Sequence, residues 1–191
     1  SRVRFDIEGN QREVFDARQR LVMRCDYDQL GKRLHQASMD AGERWMLNDV
    51  SGKSIRAWDS RGQQFRASYD ALRRPDAAFL RQEQGMELTV GRTIYGETRA
   101  DAVAANLRGK VIQVFDQAGL VSSEEYDFKG NLLRSRRQIA CDYKSILDWS
   151  TQVELEPAAY DSYNRYDALN RPIEIGKPDR SVIYHRYNRR S

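Results

Sequence analysis

The chain has 191 residues, of which 40% are hydrophobic, 31% charged and 10% aromatic, and its formal net charge is +4. No apolar run approaches the ~20 residues that a membrane-spanning helix needs, and the aromatic content is too high for a disordered linker. These figures exclude a helical membrane protein and an unfolded tail. A globular chain of one domain or two small ones remains.

Arginine supplies most of the positive charge, because lysine occurs at only six positions. A guanidinium group stacks on aromatic rings and pairs with carboxylates through two hydrogen bonds, so the composition favours ordered ladders of Arg, Asp and Tyr. The arginines alternate with acidic residues along the whole chain instead of clustering. We therefore expect no nucleic-acid partner.

An aromatic residue followed by Asp recurs along the chain, and adjacent copies stand 10 to 12 residues apart. A second, independent pattern is that Gly follows Asp by three residues six times. An Asp side chain accepts hydrogen bonds from the backbone ahead of it, and Gly adopts the positive φ that closes a turn. The patterns predict turns with structural roles for Asp6, Gly9, Asp28, Gly31, Asp49, Gly52, Asp59, Gly62, Asp116, Gly119, Asp127, Gly130 and Asp167.

Three copies of the repeat lack the closing glycine and carry Gln19, Arg73 or Asn170 at that position. Asn tolerates left-handed backbone geometry better than most residues, whereas Gln and Arg adopt it less readily. For the turns that close on Gln19 and Arg73, the sequence therefore favours another turn type.

Short segments rich in β-branched, aromatic and Arg side chains lie between the turns, as in 109–115 and 131–143. A strand of ~6 residues followed by a short turn reproduces the spacing, so the repeating unit is predicted to be a β-hairpin. The aromatic residue before each Asp is predicted to pack as a rung against the next hairpin and not to form a ligand site. The predicted rungs are Phe5, Phe15, Tyr27, Trp58, Tyr69, Phe115, Tyr126 and Tyr166.

In chain order, residues 1–75, 109–143 and 160–191 are predicted to hold the repeats of one continuous array that extends over 1–191. Residues 76–108 and 144–159 lack the pattern and are predicted to be insertions. The predicted fold class is all-β, built from tandem β-hairpins. Such an array has unpaired strands at its ends, so Ser1 and Ser191 are expected to be cuts in a longer sheet.

The first insertion contains a segment, 86–97, that reads as a strand or a hairpin. It is followed by a predicted short helix near 99–107, because Thr98 and Asp101 resemble a capping box and Gly109 can end a helix. The second insertion is predicted to be a loop with one turn of helix.

The sequence offers no constellation for catalysis. His35 and His185 lie 150 residues apart, and each is interpreted as a strand or surface histidine. No phosphate-binding loop, nucleophile elbow or metal motif occurs. The two cysteines, Cys25 and Cys141, share the local string Cys-Asp-Tyr and are expected to be buried free thiols at equivalent strand positions. We expect no enzymatic activity, no cofactor and no metal.

Segments 58–75, 126–144 and 166–172 resemble the YD-repeat, or Rhs-repeat, family. The run 106–138 resembles more closely the repeat region of large bacterial Rhs proteins and of insecticidal toxin complex subunits. The resemblance implies that the repeats wind a curved, spiralling antiparallel sheet into a shell that encloses a toxin or effector polypeptide. The family's self-cleaving segment has no match in 176–191, so that activity is not transferred.

The resemblance also implies partners and a location. The partners are the remainder of a longer chain, the enclosed toxin or effector and, as a further possibility, other toxin-complex subunits, in an exported protein that is secreted or at the bacterial surface. Teneurins use a similar shell for recognition, which leaves open a module that binds carbohydrate or protein. The exposure of Trp45, Trp58 and Trp149 is the feature that distinguishes the two roles.

Overall fold

The computed structural model describes residues 1–188, so the last three residues of the predicted repeat 160–191 lie outside the described residues. Within that range the chain forms fifteen β-strands and one short 3₁₀ helix. The strands lie in one antiparallel sheet in the order in which they follow along the chain. The predicted all-β fold of successive hairpins is confirmed.

The chain divides into two compact units, Ser1–Leu88 and Thr89–Ser191. The first unit contains β1 (Arg2–Phe5), β2 (Gln11–Phe15), β3 (Leu21–Tyr27), β4 (Arg33–Ser38), β5 (Gly42–Asn48), β6 (Ser54–Asp59), β7 (Gln63–Tyr69) and β8 (Pro75–Gln82). Strand β9 (Glu87–Tyr95) crosses the division. The second unit continues with the 3₁₀ helix (Gly96–Thr98), β10 (Val111–Asp116), β11 (Gly119–Tyr126), β12 (Leu132–Ala140), β13 (Leu155–Tyr166), β14 (Pro172–Gly176) and β15 (Val182–Tyr184).

The two faces of the sheet in the first unit differ in chemistry because successive side chains on a strand point to opposite sides. One face carries a cross-strand row of polar and aromatic residues, namely Asp26, His35, Trp45, Trp58, Gln64 and Arg81. The other face carries apolar residues, including the buried Cys25 and the pair formed by Phe65 and Leu80.

The second unit contains two small hydrophobic cores, each made where a loop packs against strands. Ala102 and Leu107 from the loop after β9 pack with Ile112 of β10. Leu147 and Trp149 from the loop after β12 pack with Ala140 and Phe115. Few other side chains among the described residues are buried, so strand pairing and contacts between turns hold much of the sheet together.

The predicted helix at 99–107 is wrong. A 3₁₀ helix occupies Gly96–Thr98 instead, and the following residues form a series of turns. The side chains that would cap a helix are engaged elsewhere, because Thr98 donates its hydroxyl to the Tyr95 carbonyl and Asp101 pairs with Arg99. Asn106 then adopts a φ of 54°, which ends any continuing helical turn.

The insertions are shorter than predicted. Residues 76–108 include nearly all of β8 and the whole of β9, so only the segment between β9 and β10 departs from the hairpin pattern. Strand β13 begins at Leu155, within the predicted insertion 144–159, and the loop before it forms bends and turns but no helical turn. Both strands lack the Asp and Gly signals on which the prediction relied.

The cysteines are not equivalent. Both thiols are free, but Cys25 is buried within β3 whereas Cys141 is exposed just after the end of β12. The shared Cys-Asp-Tyr string therefore predicted the state of Cys25 correctly and that of Cys141 incorrectly.

Candidate functional site

The turn opened by Asp127 illustrates the geometry of the repeat. The Asp127 amide donates to the Asn131 carbonyl, and the Gly130 amide donates to the Asp127 carbonyl, both at 3.0 Å. One carboxylate oxygen of Asp127 accepts the amides of Lys129 and Asn131, at 2.9 and 2.8 Å. Gly130 has a φ of 88°. The result is a three-residue hairpin loop, a type I turn closed by a left-handed residue.

The same pair of carboxylate hydrogen bonds, to the amides two and four residues ahead, recurs in eight turns of the described chain. These turns begin at Asp6, Asp16, Asp28, Asp49, Asp59, Asp70, Asp127 and Asp167. A carboxylate that accepts several hydrogen bonds is stabilised in its charged form. The backbone amide of residue 20 and the side chain of Asn131 are the main causes that lower the pKa of Asp16 and of Asp127, respectively. Such groups are poor general bases.

The turns without a closing glycine have the same geometry as the others. Gln19, Arg73 and Asn170 adopt φ values of 61°, 63° and 61°, and each donates its amide to the Asp carbonyl three residues earlier. The prediction of another turn type for Gln19 and Arg73 is therefore wrong.

These three turns share a second feature that the glycine-closed turns lack. The residue after the closing position is Arg, and its Nε donates to the free oxygen of the Asp that opens the turn, at 2.7 to 2.8 Å. The five equivalent glycine-closed turns carry Asn, Lys or Gln at this position. We attribute the tolerated left-handed residue in part to this ion pair, which closes the loop a second time.

Asp116 and Gly119 form a different turn. They pair directly across a two-residue hairpin, and Gly119 lies in β11 with a φ of 131°. A Cβ atom at Gly119 would lie 2.2 Å from the carbonyl oxygen of Gln138. Glycine is required here because the neighbouring strand approaches closely. Asp116 also binds the Arg137 guanidinium through both carboxylate oxygens, at 2.7 and 2.9 Å.

A further turn has the same backbone hydrogen bonds but begins at Lys177 and was not predicted. The Lys177 amide donates to the Ser181 carbonyl, and the Arg180 amide, with a φ of 67°, donates to the Lys177 carbonyl. Its carboxylate comes from Asp179, which accepts the Ser181 amide. Pro178 fits the second position of a type I turn and was the signal that could have revealed it.

The turns alternate between opposite edges of the sheet, because each strand reverses the direction of the last. In the first unit, Asp6, Asp28, Asp49 and Asp70 open turns that follow odd-numbered strands and share one edge, as do Asp127 and Asp167 in the second unit. We call this the tyrosine edge, since Tyr27, Tyr69, Tyr126 and Tyr166 precede its turns. Phe15, Trp58 and Phe115 precede turns at the opposite edge. The true repeat is thus a pair of strands, and Asp28, Asp49 and Asp70 are spaced by 21 residues.

The tyrosines of this edge connect neighbouring strands through their hydroxyl groups. Tyr27, Tyr69 and Tyr126 donate to the carbonyl of the first residue of the preceding strand, at 2.9, 2.7 and 2.6 Å. Tyr187 makes the equivalent bond to the Pro172 carbonyl at 2.8 Å. At Tyr166 the corresponding carbonyl, that of Leu132, receives the Asn164 amide instead. Phe5, on the first strand, is 61% exposed.

Four of the six lysines connect successive turns along the tyrosine edge. The Lys32 ammonium lies 3.1 Å from the Val50 carbonyl, and the Lys129 ammonium lies 2.6 Å from the Ala168 carbonyl. Lys53 and Lys110 reach the carbonyls of Arg73 and Gly130 in the same way. Each contact joins one hairpin to a turn of the next, so the scarce lysines form a ladder that sequence reasoning missed.

The tryptophans give a divided answer on exposure. Trp149 is buried, Trp58 is half-buried, and Trp45 is 40% exposed. The His35 ring stacks on Trp45 with centroids 5.1 Å apart, and its Nδ1 shares a hydrogen bond of 2.9 Å with Asp26. That bond is the main cause that lowers the pKa of Asp26.

Within residues 1–188 no group of three or more His, Cys, Asp or Glu side chains is placed to hold a metal ion. The same part of the chain has no helix of the length and hydrophobicity needed to cross a membrane.

The fold is similar to that of solved toxin structures. A crystal structure of TcdB2-TccC3 without its hypervariable C-terminal region matches with a TM-score of 0.82 and 20% identity over 97% of this chain. A Tc holotoxin pore of Photorhabdus luminescens matches with a TM-score of 0.82 and 21% identity over 95%. A complex titled TcdB2-TccC3-TEV matches with a TM-score of 0.81 and 19% identity over 95%. The chain shares the fold of these Tc toxin structures.

The match covers a small part of those proteins. The chain spans only 9 to 10% of the length of the Tc toxin chains that it matches. No family model matches the sequence, and no curated protein matches it.

Proposed function

We propose that this chain is a non-catalytic section of an Rhs/YD-type shell that encloses a toxin or effector polypeptide and helps to deliver it. The observation that carries the proposal is the similarity of fold to the TcdB2-TccC3 structures over at least 95% of the chain. The low sequence identity means that the fold, and not the conserved chemistry of a site, is the link.

The physical character of the sheet supports a scaffold role. Each hairpin joins the next through the same turn geometry, tyrosine hydroxyl and lysine contact, so identical units can extend the sheet without limit. Strand β1 pairs only with β2, and β15 only with β14, among the described strands. An unpaired strand edge is a template for another strand, which suits a section of a longer shell.

The proposed partners follow from this role. They are further strands of the same kind on either side, an enclosed toxin or effector polypeptide, and other subunits of a toxin complex. Such a protein would act outside the cell that makes it, as a secreted or surface-delivered particle.

The test is protection of a polypeptide from protease. The native polypeptide that contains this sequence is digested under native conditions, and protected fragments are identified by mass spectrometry. The double variant Tyr126→Phe/Lys129→Met removes two contacts of the tyrosine edge, and Tyr160→Phe/Lys144→Met is the matched control. We expect an enclosed segment to be protected, and to be cleaved faster in the first variant than in the control. A native protein with no protected segment outside the sheet would contradict the proposal.

The exposure of Trp45 favours a second candidate, a recognition module that binds carbohydrate or protein at the cell surface. Saturable quenching of tryptophan fluorescence by an oligosaccharide, abolished by Trp45→Ala, would support this role. A flat titration would leave the shell as the better account.

A further inference from the structure

A narrow cleft lies on the polar face of β6, β7 and β8 in the first unit. It encloses about 70 Å³ and is lined by Arg56, Trp58, Gln64, Arg66, Arg81 and Glu87. Strand pairing fixes their placement, since Arg56 lies opposite Arg66 while Trp58 lies opposite Gln64, which in turn lies opposite Arg81. We call this group the arginine cleft.

One of the three guanidinium groups is held in place. Arg66 donates to both carboxylate oxygens of Glu87, at 2.6 and 3.1 Å, and its guanidinium lies 3.6 Å from the centre of the Phe79 ring. The hydrogen bond from Arg66 and the charges of Arg81 and Arg56 lower the pKa of Glu87. The only carboxylate that lines the cleft is therefore already engaged.

The other two guanidinium groups are left without a matching charge. Arg56 and Arg81 are exposed, and within residues 1–188 neither forms a hydrogen bond or an ion pair. Arg56 also lies directly opposite Arg66, and like charges in that position destabilise a sheet. The cleft thus holds three cations and one anion, an arrangement that a further anion would stabilise.

We propose that the arginine cleft binds a carboxylate of an extended, acidic polypeptide segment. Planar guanidinium groups bind carboxylates through paired hydrogen bonds, and the cleft has room for a group of that size, given that a water molecule occupies about 30 Å³. The half-buried Trp58 and the exposed Trp45 beside it offer apolar contact to the neighbouring side chains of such a segment.

The charges also argue against a nucleic acid as the occupant. A phosphate backbone binds through a run of several cations, and its affinity comes from neutralising many phosphates at once. Here Glu87 lies within the cleft and would repel a second phosphate. Binding at this cleft is compatible with either face of the sheet pointing inward, so it stands apart from the proposed shell role.

The test is fluorescence anisotropy with the full 191-residue chain and three labelled peptides of ten residues. The peptides alternate Val with Glu, Gln or Lys. We expect the Glu peptide to bind and the Gln and Lys peptides not to bind. The double variant Arg56→Gln/Arg81→Gln should weaken binding of the Glu peptide about tenfold, because it removes two charge-assisted contacts.

The matched control is Arg18→Gln/Arg108→Gln, which makes the same change in net charge at two exposed arginines outside the cleft. Circular dichroism confirms that both variants are folded. Equal loss of binding in the two variants would overturn the proposal, as would absence of binding to the Glu peptide. Tighter binding of heparin than of the Glu peptide, also lost in the cleft variant, would replace the polypeptide with a sulfated polysaccharide as occupant.

Discussion

Glycines that look alike in the sequence play different roles in the sheet. Gly9 has a φ of 86° and open space around the position of a Cβ atom, whereas at Gly119 that position lies 2.2 Å from a backbone oxygen of the next strand. We predict that Gly9→Ala costs about 1–2 kcal/mol, the price of left-handed geometry. Gly119→Ala should cost about 3 kcal/mol, because β11 and β12 must separate. Urea unfolding of the two variants measures the difference, and equal costs would contradict the close approach.

The turn carboxylates predict how stability depends on pH. Hydrogen bonds lower the pKa of Asp16, Asp127 and Asp167 below the ordinary 3.8. A depressed folded-state pKa contributes stability above the unfolded-state value, and that stability is lost as the pH falls through the folded-state value. The chain should therefore lose thermal stability as the pH falls below about 4.

The variant Asp127→Asn isolates one of these turns. It should lower the Tm at pH 7, and the difference from the unmodified chain should shrink at pH 3, where the carboxylate of the latter is also neutralised. Asp40→Asn is the control, since the Asp40 carboxylate accepts no hydrogen bond among the described residues. A constant difference between pH 7 and pH 3 would show that the charge of Asp127 does not stabilise its turn.

At the scale of the strands, the tyrosine hydroxyls are expected to contribute more than ring packing alone. Tyr126 donates to the Val111 carbonyl at 2.6 Å, whereas the hydroxyl of Tyr160, midway along β13, has no partner within residues 1–188. Tyr126→Phe should cost about 1 kcal/mol and Tyr160→Phe close to nothing. Differential scanning calorimetry should show a drop of about 2–4 °C for the first variant only. Equal melting temperatures would mean that the hydroxyl bond adds no stability.

The loop between β12 and β13 is held by its own small core. Leu147 is 5% exposed against Trp149 and Ala140, and its backbone amide and carbonyl both bond the Gln117 side chain. Leu147→Ala should cost about 3 kcal/mol by leaving a cavity, while Ile146→Ala, at a position 38% exposed, should cost less than about 0.5 kcal/mol. Chemical denaturation followed by Trp149 fluorescence compares the two, and similar costs would mean that the loop is not anchored by Leu147.

The sequence predicted the elements whose cause is local. Asp127 and Gly130 lie within one turn, so their spacing alone indicates a chain reversal. The contacts that the sequence did not reveal join residues far apart in the chain, as when Lys129 reaches the Ala168 carbonyl across 39 positions. The predicted helix at 99–107 failed for the same reason, because Leu107 is buried against Ile112 of the next strand and the loop follows that contact. Strand β8 was missed because no Gly closes the turn after it at the expected spacing.

At the scale of the whole chain, two properties bear on function. The hairpins repeat the same contacts along one edge, and the strands at both ends of the described array have only one neighbour each. The fold recurs in Tc toxin structures of which this chain spans about a tenth. Together these observations favour a section of a larger sheet over an independent binding module.

The most direct test of that account is a cryo-EM structure of the native polypeptide that contains this sequence. The account predicts that further antiparallel strands pair with β1 and with β15, and that the resulting sheet surrounds density for a separate polypeptide segment. A native protein in which β1 and β15 remain unpaired, with no enclosed density, would contradict the shell.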